Sequence, residues 1–210
     1  MLLRVLLIGS SYLLGSLSSA IIVCRMGGYP DPRSLGSRNP GATNVLRIAG
    51  RASAALTLAG DLLKGLLPLA FGHWLQVADS TLAAMGVAAF LGHLYPVFFG
   101  FQGGKGVATF IGVLCGLAWQ AGLAFVGLWL AVAGLCRYSS LAALVAAALS
   151  PVAVALVHPS PSYLVAVTAM AAVILWRHRS NIRNLMAGTE RKIGAPVSYT
   201  HLTLPTKRIV

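Results

Sequence analysis

Long apolar segments, which follow one another along most of the chain, constrain its fold more than any other feature. Hydrophobic residues make up 57% of the sequence and charged residues only 10%, whereas charged residues make up about 25% of a soluble domain. A helix that crosses a bilayer needs about 20 residues, so a chain of 210 residues has room for six or seven spans. We therefore predict an all-α integral membrane protein, a seven-transmembrane helical bundle.

The predicted spans follow the apolar segments. They are residues 2–24, 52–76, 80–99, 141–157 and 163–176, with two further spans inside residues 107–136. That last segment is long for one helix and short for two full spans. Trp119 and Gln120 in its middle suggest a turn between two short helices, and a single tilted helix is the alternative.

The positions of the basic residues favour seven spans. With that number, the loops rich in Arg and Lys all fall on one side of the membrane, and the opposite loops contain neither residue. Cytoplasmic loops carry the excess of Lys and Arg in membrane proteins, so we expect the N-terminus outside and the C-terminus in the cytoplasm. Arg4 is the one basic residue that this arrangement leaves on the outer side.

Residues 1–194 are expected to form a single membrane-embedded domain. The character of the chain changes at residues 195–210, which are rich in Thr, contain two Pro and have no helical period. We interpret this tail as a non-native extension, with a disordered natural tail as the alternative, and assign it no role.

The chain is strongly basic, with 16 Lys and Arg against four Asp and Glu and a net charge of +12. No basic face with interleaved aromatic residues exists outside the apolar segments, so nucleic acid is not an expected partner. Anionic lipid or an anionic substrate explains the excess better. The three Cys are scattered without metal-ligand spacing, so we expect no metal site and no cofactor.

The most polar stretch of the chain is Leu35–Arg47. It combines Gly, Pro, Asn, Ser, Thr and Arg with no acidic residue. Short hydroxyl and amide side chains donate hydrogen bonds, and Arg adds a planar set of donors suited to phosphate. Taken alone, this stretch is equally well explained as an ordinary polar loop between two membrane helices.

Three further polar segments are predicted on the same side of the membrane, namely Gly103–Gly106, Arg137–Ser140 and Trp176–Arg183. They bring Lys, Arg, Ser, Asn and His to one face with almost no carboxylate, which favours an anionic, oxygen-rich ligand such as phosphate. The glycine segment is not a Walker A loop, because Gly106 stands where Ser or Thr would hold Mg²⁺. A nucleoside triphosphatase is therefore not expected.

A few charged or titratable residues lie inside the predicted spans or at their ends. Asp61 and Lys64 share one helix face, and we favour a structural ion pair over a place in the site. For His93 a packing or hydrogen-bonding role is favoured over catalysis. His178, which lies among Arg residues that disfavour its protonation, fits a ligand-binding site and a lipid-facing basic collar equally well.

The chain lacks a G-x-S-x-G elbow, an HExxH motif, an H-x4-D acyltransferase box and paired carboxylates on the polar face. A carboxylate general base therefore has no candidate there, and positioning and electrostatic stabilisation would supply most of the rate.

Five motifs occur in register over residues 1–194. They are Leu35–Arg47, Asp61–Gly65, Gly92–Phe98 with Gly103–Thr109, Arg137–Leu141, and His178–Ile182 with Gly188–Gly194. Together they resemble the bacterial acyl-phosphate:glycerol-3-phosphate acyltransferases. Two departures, Arg38 where Gly is common and Gln102 where Lys is common, matter little.

The resemblance implies a seven-span enzyme of the bacterial cytoplasmic (inner) membrane, with its site at the cytoplasmic side. It would transfer a fatty acyl group from acyl-phosphate to the 1-hydroxyl of glycerol 3-phosphate, giving lysophosphatidic acid for phospholipid synthesis. The resemblance also implies that the phosphate of the acyl-phosphate would accept the proton of that hydroxyl group. Besides both substrates, the expected partners are membrane lipids and the soluble enzyme that makes acyl-phosphate.

The resemblance also implies roles for individual residues. Lys105, Arg47 and Ser37 are the candidate catalytic residues, and these three, with Thr43 and Asn44, would bind phosphate. The candidate substrate-binding residues are Asn39, Thr43, Asn44, Gly103, Gly104, Gly106, Ser140, His178 and Asn181. Among them, Ser140, His178 and Asn181 would orient glycerol 3-phosphate, and the three Gly would allow its close approach.

Two other classes of function compete with the enzyme. A small transporter or channel for an anionic metabolite would also need a polar mouth and intramembrane charges. Against it, we find no inverted repeat and no span clearly broken by Gly and Pro together at mid-membrane. A membrane scaffold is the third possibility, and it predicts that changes in the polar face alter no turnover.

Overall fold

The computed structural model describes residues 1–194, and the regular secondary structure of this part of the chain is all helical. The predicted tail, residues 195–210, lies outside the described residues. The α-helices, in chain order, are α1 (Leu2–Gly15), α2 (Ser19–Met26), α3 (Ala42–Trp74), α4 (Asp79–Leu94), α5 (Val107–Leu117), α6 (Trp119–Cys136), α7 (Ser139–Val157), α8 (Pro161–Arg177) and α9 (Arg179–Met186). A short 3₁₀ turn, Val97–Phe99, follows α4.

Several of these helices have the length and apolarity of membrane spans. Within residues 1–194, four segments qualify: α3, α4 with its 3₁₀ turn, α6 and α7. The bent pair α1–α2 would make a fifth, while α5 and α8 are apolar but shorter. The number of seven spans and the orientation of the termini therefore stay predictions.

The segment 107–136 consists of two helices, as the turn predicted from Trp119 and Gln120 requires. Helix α5 ends at Leu117 and α6 begins at Trp119, with Ala118 in extended conformation between them. The alternative of one tilted helix is wrong.

The first predicted span, residues 2–24, is broken in the structure. Helices α1 and α2 meet at an angle of 43°, and residues 16–18 between them leave carbonyl groups without a helical donor. Lys64 on α3 supplies one, because its ammonium group donates a hydrogen bond to the Leu17 carbonyl at 2.8 Å. The break was missed because its partner lies 47 positions away along the chain.

Helix α3 begins earlier than expected. The sequence predicted a loop up to residue 51, but the chain is helical from Ala42, and a kink at Gly50 (φ 79°) separates this first part from the apolar remainder. The positive φ suits Gly, which has no Cβ to clash. The kink sets apart a short polar helical segment that carries Thr43, Asn44 and Arg47.

Close helix contacts bring the polar segments together. A Cβ on Gly65 of α3 would lie 2.3 Å from the Thr109 carbonyl oxygen of α5, and one on Gly112 of α5 would lie 2.0 Å from the Leu62 carbonyl oxygen of α3. Small residues at such contacts let two backbones approach closely. The α3–α5 contact places the start of α5, which follows Lys105, beside residues 62–65 in the middle of α3.

Candidate active site

One cavity of about 390 Å³ collects the predicted residues from four separate parts of the chain. Its lining includes every candidate residue except Gly103 and Gly104. The predicted residues on its wall are Ser37, Asn39, Thr43, Asn44, Arg47, Lys105, Gly106, Ser140, His178 and Asn181. The convergence expected from the sequence is therefore present in the fold.

A chain of hydrogen bonds joins four of the polar groups in this cavity. Lys105 donates from Nζ to Asn181 Oδ1. Asn181 Nδ2 donates to Glu190 Oε1 at 2.7 Å, and Ser140 Oγ donates to the same oxygen at 2.6 Å. Residues from the α4–α5 loop, α7, α9 and the segment after α9 are thus held in one arrangement.

Glu190 was not among the predicted site residues. It lines the cavity with its neighbour Arg191 and contributes a carboxylate to a cluster expected to have almost none. Its motif, Gly188–Gly194, was part of the family resemblance, which was the signal available. Nothing in the local sequence showed that the chain after α9 folds back towards α7.

Burial and neighbouring charges shift the pKa of Lys105. Desolvation lowers the pKa of its ammonium group below the ordinary value, Glu190 opposes this shift, and the nearby charges of Arg177 and Arg47 add to it. A partly desolvated cation interacts more strongly with an anion than a cation in water does.

His178 is buried, with only 4% of its surface exposed, so it is not part of a lipid-facing collar. Its Nδ1 lies 2.8 Å from the Ile174 carbonyl oxygen. Because a carbonyl can only accept, Nδ1 carries the proton and Nε2 is left as an acceptor. Burial above all, together with the charges of Lys105 and Arg177, lowers the pKa of His178 to about 4. The ring is therefore neutral at pH 7 and can accept a hydrogen bond from a hydroxyl group.

Asn44 uses its side chain to shape the polar loop. Its Nδ2 donates to the carbonyls of Pro32 (2.9 Å) and Leu35 (3.0 Å), and its Oδ1 accepts from the Ser37 amide at 2.9 Å. Both donor hydrogens and one acceptor position are used in this way. Asn44 lines the cavity but acts mainly by holding Ser37 and its neighbours in place.

Gly103 and Gly104 lie outside the cavity wall and pack against the end of α4. A Cβ on Gly103 would lie 2.0 Å from the His93 carbonyl oxygen, and one on Gly104 would lie 2.3 Å from His93 Nε2. These glycines are required by the close approach of two protein segments. Gly106, with φ 87°, does line the cavity and ends the turn at the start of α5.

A second part of the cavity wall is apolar. It is formed by side chains from the middle of α3, α5 and α6, namely Leu58, Leu62, Ile111, Val126, Trp129 and Leu130. Leu58 and Leu130 are 46% and 59% exposed on the outside of the bundle. The cavity therefore extends from polar helix ends to apolar helix faces that reach the outer surface of the bundle.

Asp61 and His93 also contribute to the wall. Asp61 Oδ1 lies 2.8 Å from Lys64 Nζ and 3.6 Å from His93 Nδ1, and all three side chains are almost fully buried. Asp61 thus forms the predicted ion pair and also lines the cavity, whereas Lys64 does not belong to the cavity wall.

Several known proteins are similar to this chain. A family model described as glycerol-3-phosphate acyltransferase matches residues 5–188. The chain is 54% identical over 194 residues to the glycerol-3-phosphate acyltransferase of Thioalkalivibrio sulfidiphilus, covering 92% of this chain and 96% of the relative. It is 54% identical over 190 residues to that of Methylococcus capsulatus, covering 90% and 96%.

Solved structures are similar as well. The crystal structure of PlsY (YgiH), an integral membrane glycerol 3-phosphate acyltransferase, in its glycerol 3-phosphate form superposes with a TM-score of 0.87 at 36% identity, covering 91% of this chain and 96% of that one. Its lysophosphatidic acid form gives a TM-score of 0.82 at 34% identity, covering 90% and 94%.

The predictions of an all-α integral membrane protein and of a multi-pass location in the bacterial inner membrane are thereby confirmed. The family model extends over residues 5–188, which include every motif on which the resemblance was based except the segment after Gly188. This chain belongs to the glycerol-3-phosphate acyltransferase family.

Proposed function

We propose that this protein transfers a fatty acyl group from acyl-phosphate to the 1-hydroxyl of glycerol 3-phosphate and releases lysophosphatidic acid. The observation that carries the proposal is the two-part cavity, with cationic and amide groups at helix ends and apolar side chains along the helix faces. Such a cavity suits a ligand with a phosphorylated head and a hydrocarbon tail, next to a small phosphorylated acceptor.

Lys105 and Arg47 are the groups proposed to stabilise the phosphates, aided by Ser37. Both cations line the cavity, and the interaction of Lys105 with phosphate is strengthened by its partial desolvation. Thr43 and the amide of Asn39 would complete the phosphate contacts from the same loop. The acyl chain would enter between Leu58 and Leu130, where the apolar wall meets the bilayer.

Glycerol 3-phosphate would be oriented by His178, Asn181 and Ser140. His178 Nε2 is free to accept a hydrogen bond from a glycerol hydroxyl, since Nδ1 is engaged with Ile174. We assign Glu190 to holding Ser140 and Asn181, because its Oε1 accepts a hydrogen bond from each.

In the reaction, the 1-hydroxyl oxygen attacks the acyl carbonyl carbon, the bond from that carbon to the phosphate oxygen breaks, and phosphate leaves. The hydroxyl proton passes to the departing phosphate, so no carboxylate base is required. The protein supplies alignment of the two substrates and cations near the developing negative charge.

The proposed topology has seven spans in one domain, residues 1–194, with the N-terminus outside and the site at the cytoplasmic side. The basic residues near the cavity mouth and the anionic phosphates of inner-leaflet lipids support this orientation. A cytoplasmic mouth would also be open to the soluble enzyme that makes acyl-phosphate.

The decisive experiment uses the full chain, purified and placed in lipid, with acyl-phosphate and labelled glycerol 3-phosphate. Labelled lysophosphatidic acid, with one phosphate released per product, is the expected result. Uptake of labelled glycerol 3-phosphate into vesicles without any product would indicate a transporter and overturn the proposal. An absence of both would leave a scaffold as the better description.

A further inference from the structure

Arg177, the last residue of α8, contacts the glycine turn and lies outside the cavity wall. Its Nη2 donates to the carbonyl oxygens of Gly103 at 3.2 Å and Gly104 at 2.9 Å. The side chain is half-buried and does not belong to the cavity wall. The two carbonyls it binds immediately precede Lys105.

Two other contacts are made by the glycine turn and by Arg177. The Gly104 amide donates to the His93 carbonyl at 3.3 Å, and the Arg177 guanidinium lies 5.8 Å from the centre of the Tyr95 ring. The turn is thus attached to the end of α4 through His93 and to the end of α8 through Arg177.

The direction of the two carbonyls matters for an anion site. A carbonyl oxygen carries partial negative charge and repels phosphate, whereas a guanidinium binds such oxygens through charge-assisted hydrogen bonds. Arg177 binds both oxygens, and neither Arg177 nor the two glycines belongs to the cavity wall. Lys105, the next residue, lines the cavity and contacts Asn181.

We propose that Arg177 is a positioning residue, which binds the Gly103 and Gly104 carbonyls and thereby holds the ammonium group of Lys105 towards the phosphate of the substrate. The inference rests on the proposed function, since it gives Lys105 a phosphate to bind. It assigns Arg177 no contact with either substrate.

Arg179 offers a matched control two positions along the chain. It is exposed, its guanidinium lies 4.7 Å from the centre of the Trp176 ring, and it contacts the Trp176 carbonyl at 3.4 Å. Replacing either Arg by Met removes one positive charge from the junction of α8 and α9. Only the change at Arg177 removes the two bonds to the turn.

The test compares Arg177→Met with Arg179→Met in lipid, using kcat/KM for both substrates and the binding of inorganic phosphate by calorimetry. We expect Arg177→Met to lose at least about 10-fold in kcat/KM and to bind phosphate more weakly, because charge-assisted hydrogen bonds have this worth. Arg179→Met should stay within about threefold of the wild type. Equal effects of the two changes would overturn the inference.

A double variant separates positioning from a merely structural role. If Arg177 acts through Lys105, then Arg177→Met should add less than about threefold to the loss already caused by Lys105→Ala. A full, multiplicative effect in that background would refute the proposal. Should Arg177→Met fail to fold, Arg177→Lys against Arg179→Lys decides the same question, with partial activity expected for the first.

Failure of the proposed function would look different. It would appear in the wild type, as an absence of lysophosphatidic acid. The phosphate-binding comparison between the variants at Arg177 and Arg179 requires no turnover and still tests the positioning role.

Discussion

Replacing Lys64 by Met should destabilise the bundle strongly without touching the phosphate-binding groups. The Lys64 and Asp61 side chains are only 4% and 3% exposed, and their charged atoms lie 2.8 Å apart. Removing one partner of a buried ion pair leaves an uncompensated charge and costs about 3–5 kcal/mol. The change also removes the donor to the Leu17 carbonyl at the α1–α2 break, which adds about 1 kcal/mol or more.

The expected loss is therefore at least about 4 kcal/mol, a large part of the 5–15 kcal/mol by which folded proteins are usually stable. Thermal unfolding of the purified protein in detergent, followed by helical circular dichroism, measures the effect. The double variant Asp61→Asn with Lys64→Met serves as the control. It should recover most of the lost stability, because no unpaired charge remains.

Activity of the double variant settles what the ion pair does. Asp61 lines the cavity but has no predicted part in the reaction, so the double variant should keep kcat/KM within about tenfold of the wild type. A Lys64→Met protein that unfolds at the wild-type temperature would refute the energetic reasoning. A stable double variant without turnover would instead show that Asp61 or Lys64 contributes to the chemistry.

Three further predictions concern the site. Lys105→Ala and Arg47→Ala should each lose at least about 100-fold in kcat/KM, as expected for one charge-stabilising group; near-normal turnover in both would contradict the assignment. The pKa of His178 is about 4 in the folded protein against 6.5 for the ordinary side chain, so the unfolded chain binds more protons between these values and stability should fall as the pH drops from 6.5 to 4. His178→Gln should flatten this part of a plot of unfolding temperature against pH, and an unchanged slope would argue against the buried neutral ring. Gly103→Ala should lower both the unfolding temperature and kcat/KM, since its Cβ would meet a backbone oxygen at 2.0 Å, whereas Gly9→Ala, whose Cβ would meet nothing within 4 Å, should lower neither measurement.

Much of the site could be predicted from residue types. Ser37, Arg47, Lys105 and Asn181 lie in polar segments between apolar ones, and the cationic, hydroxyl and amide groups that these segments share indicated one site for an anionic ligand. Glu190 could not be found in the same way. Its role depends on where the chain runs after α9, and local sequence does not determine that path.

The sequence by itself determined the helical membrane class, the family and most of the polar residues of the cavity lining, because long apolar segments and the order of the motifs can be read directly from the chain. Only the tertiary structure decided that α1 and α2 are separate helices, since the donor that satisfies the broken backbone is Lys64 on another helix. It also decided that Gly103 and Gly104 pack against α4 and that Arg177 binds their carbonyls. These outcomes depend on atoms far apart in the chain, whose distances are set by how the helices pack.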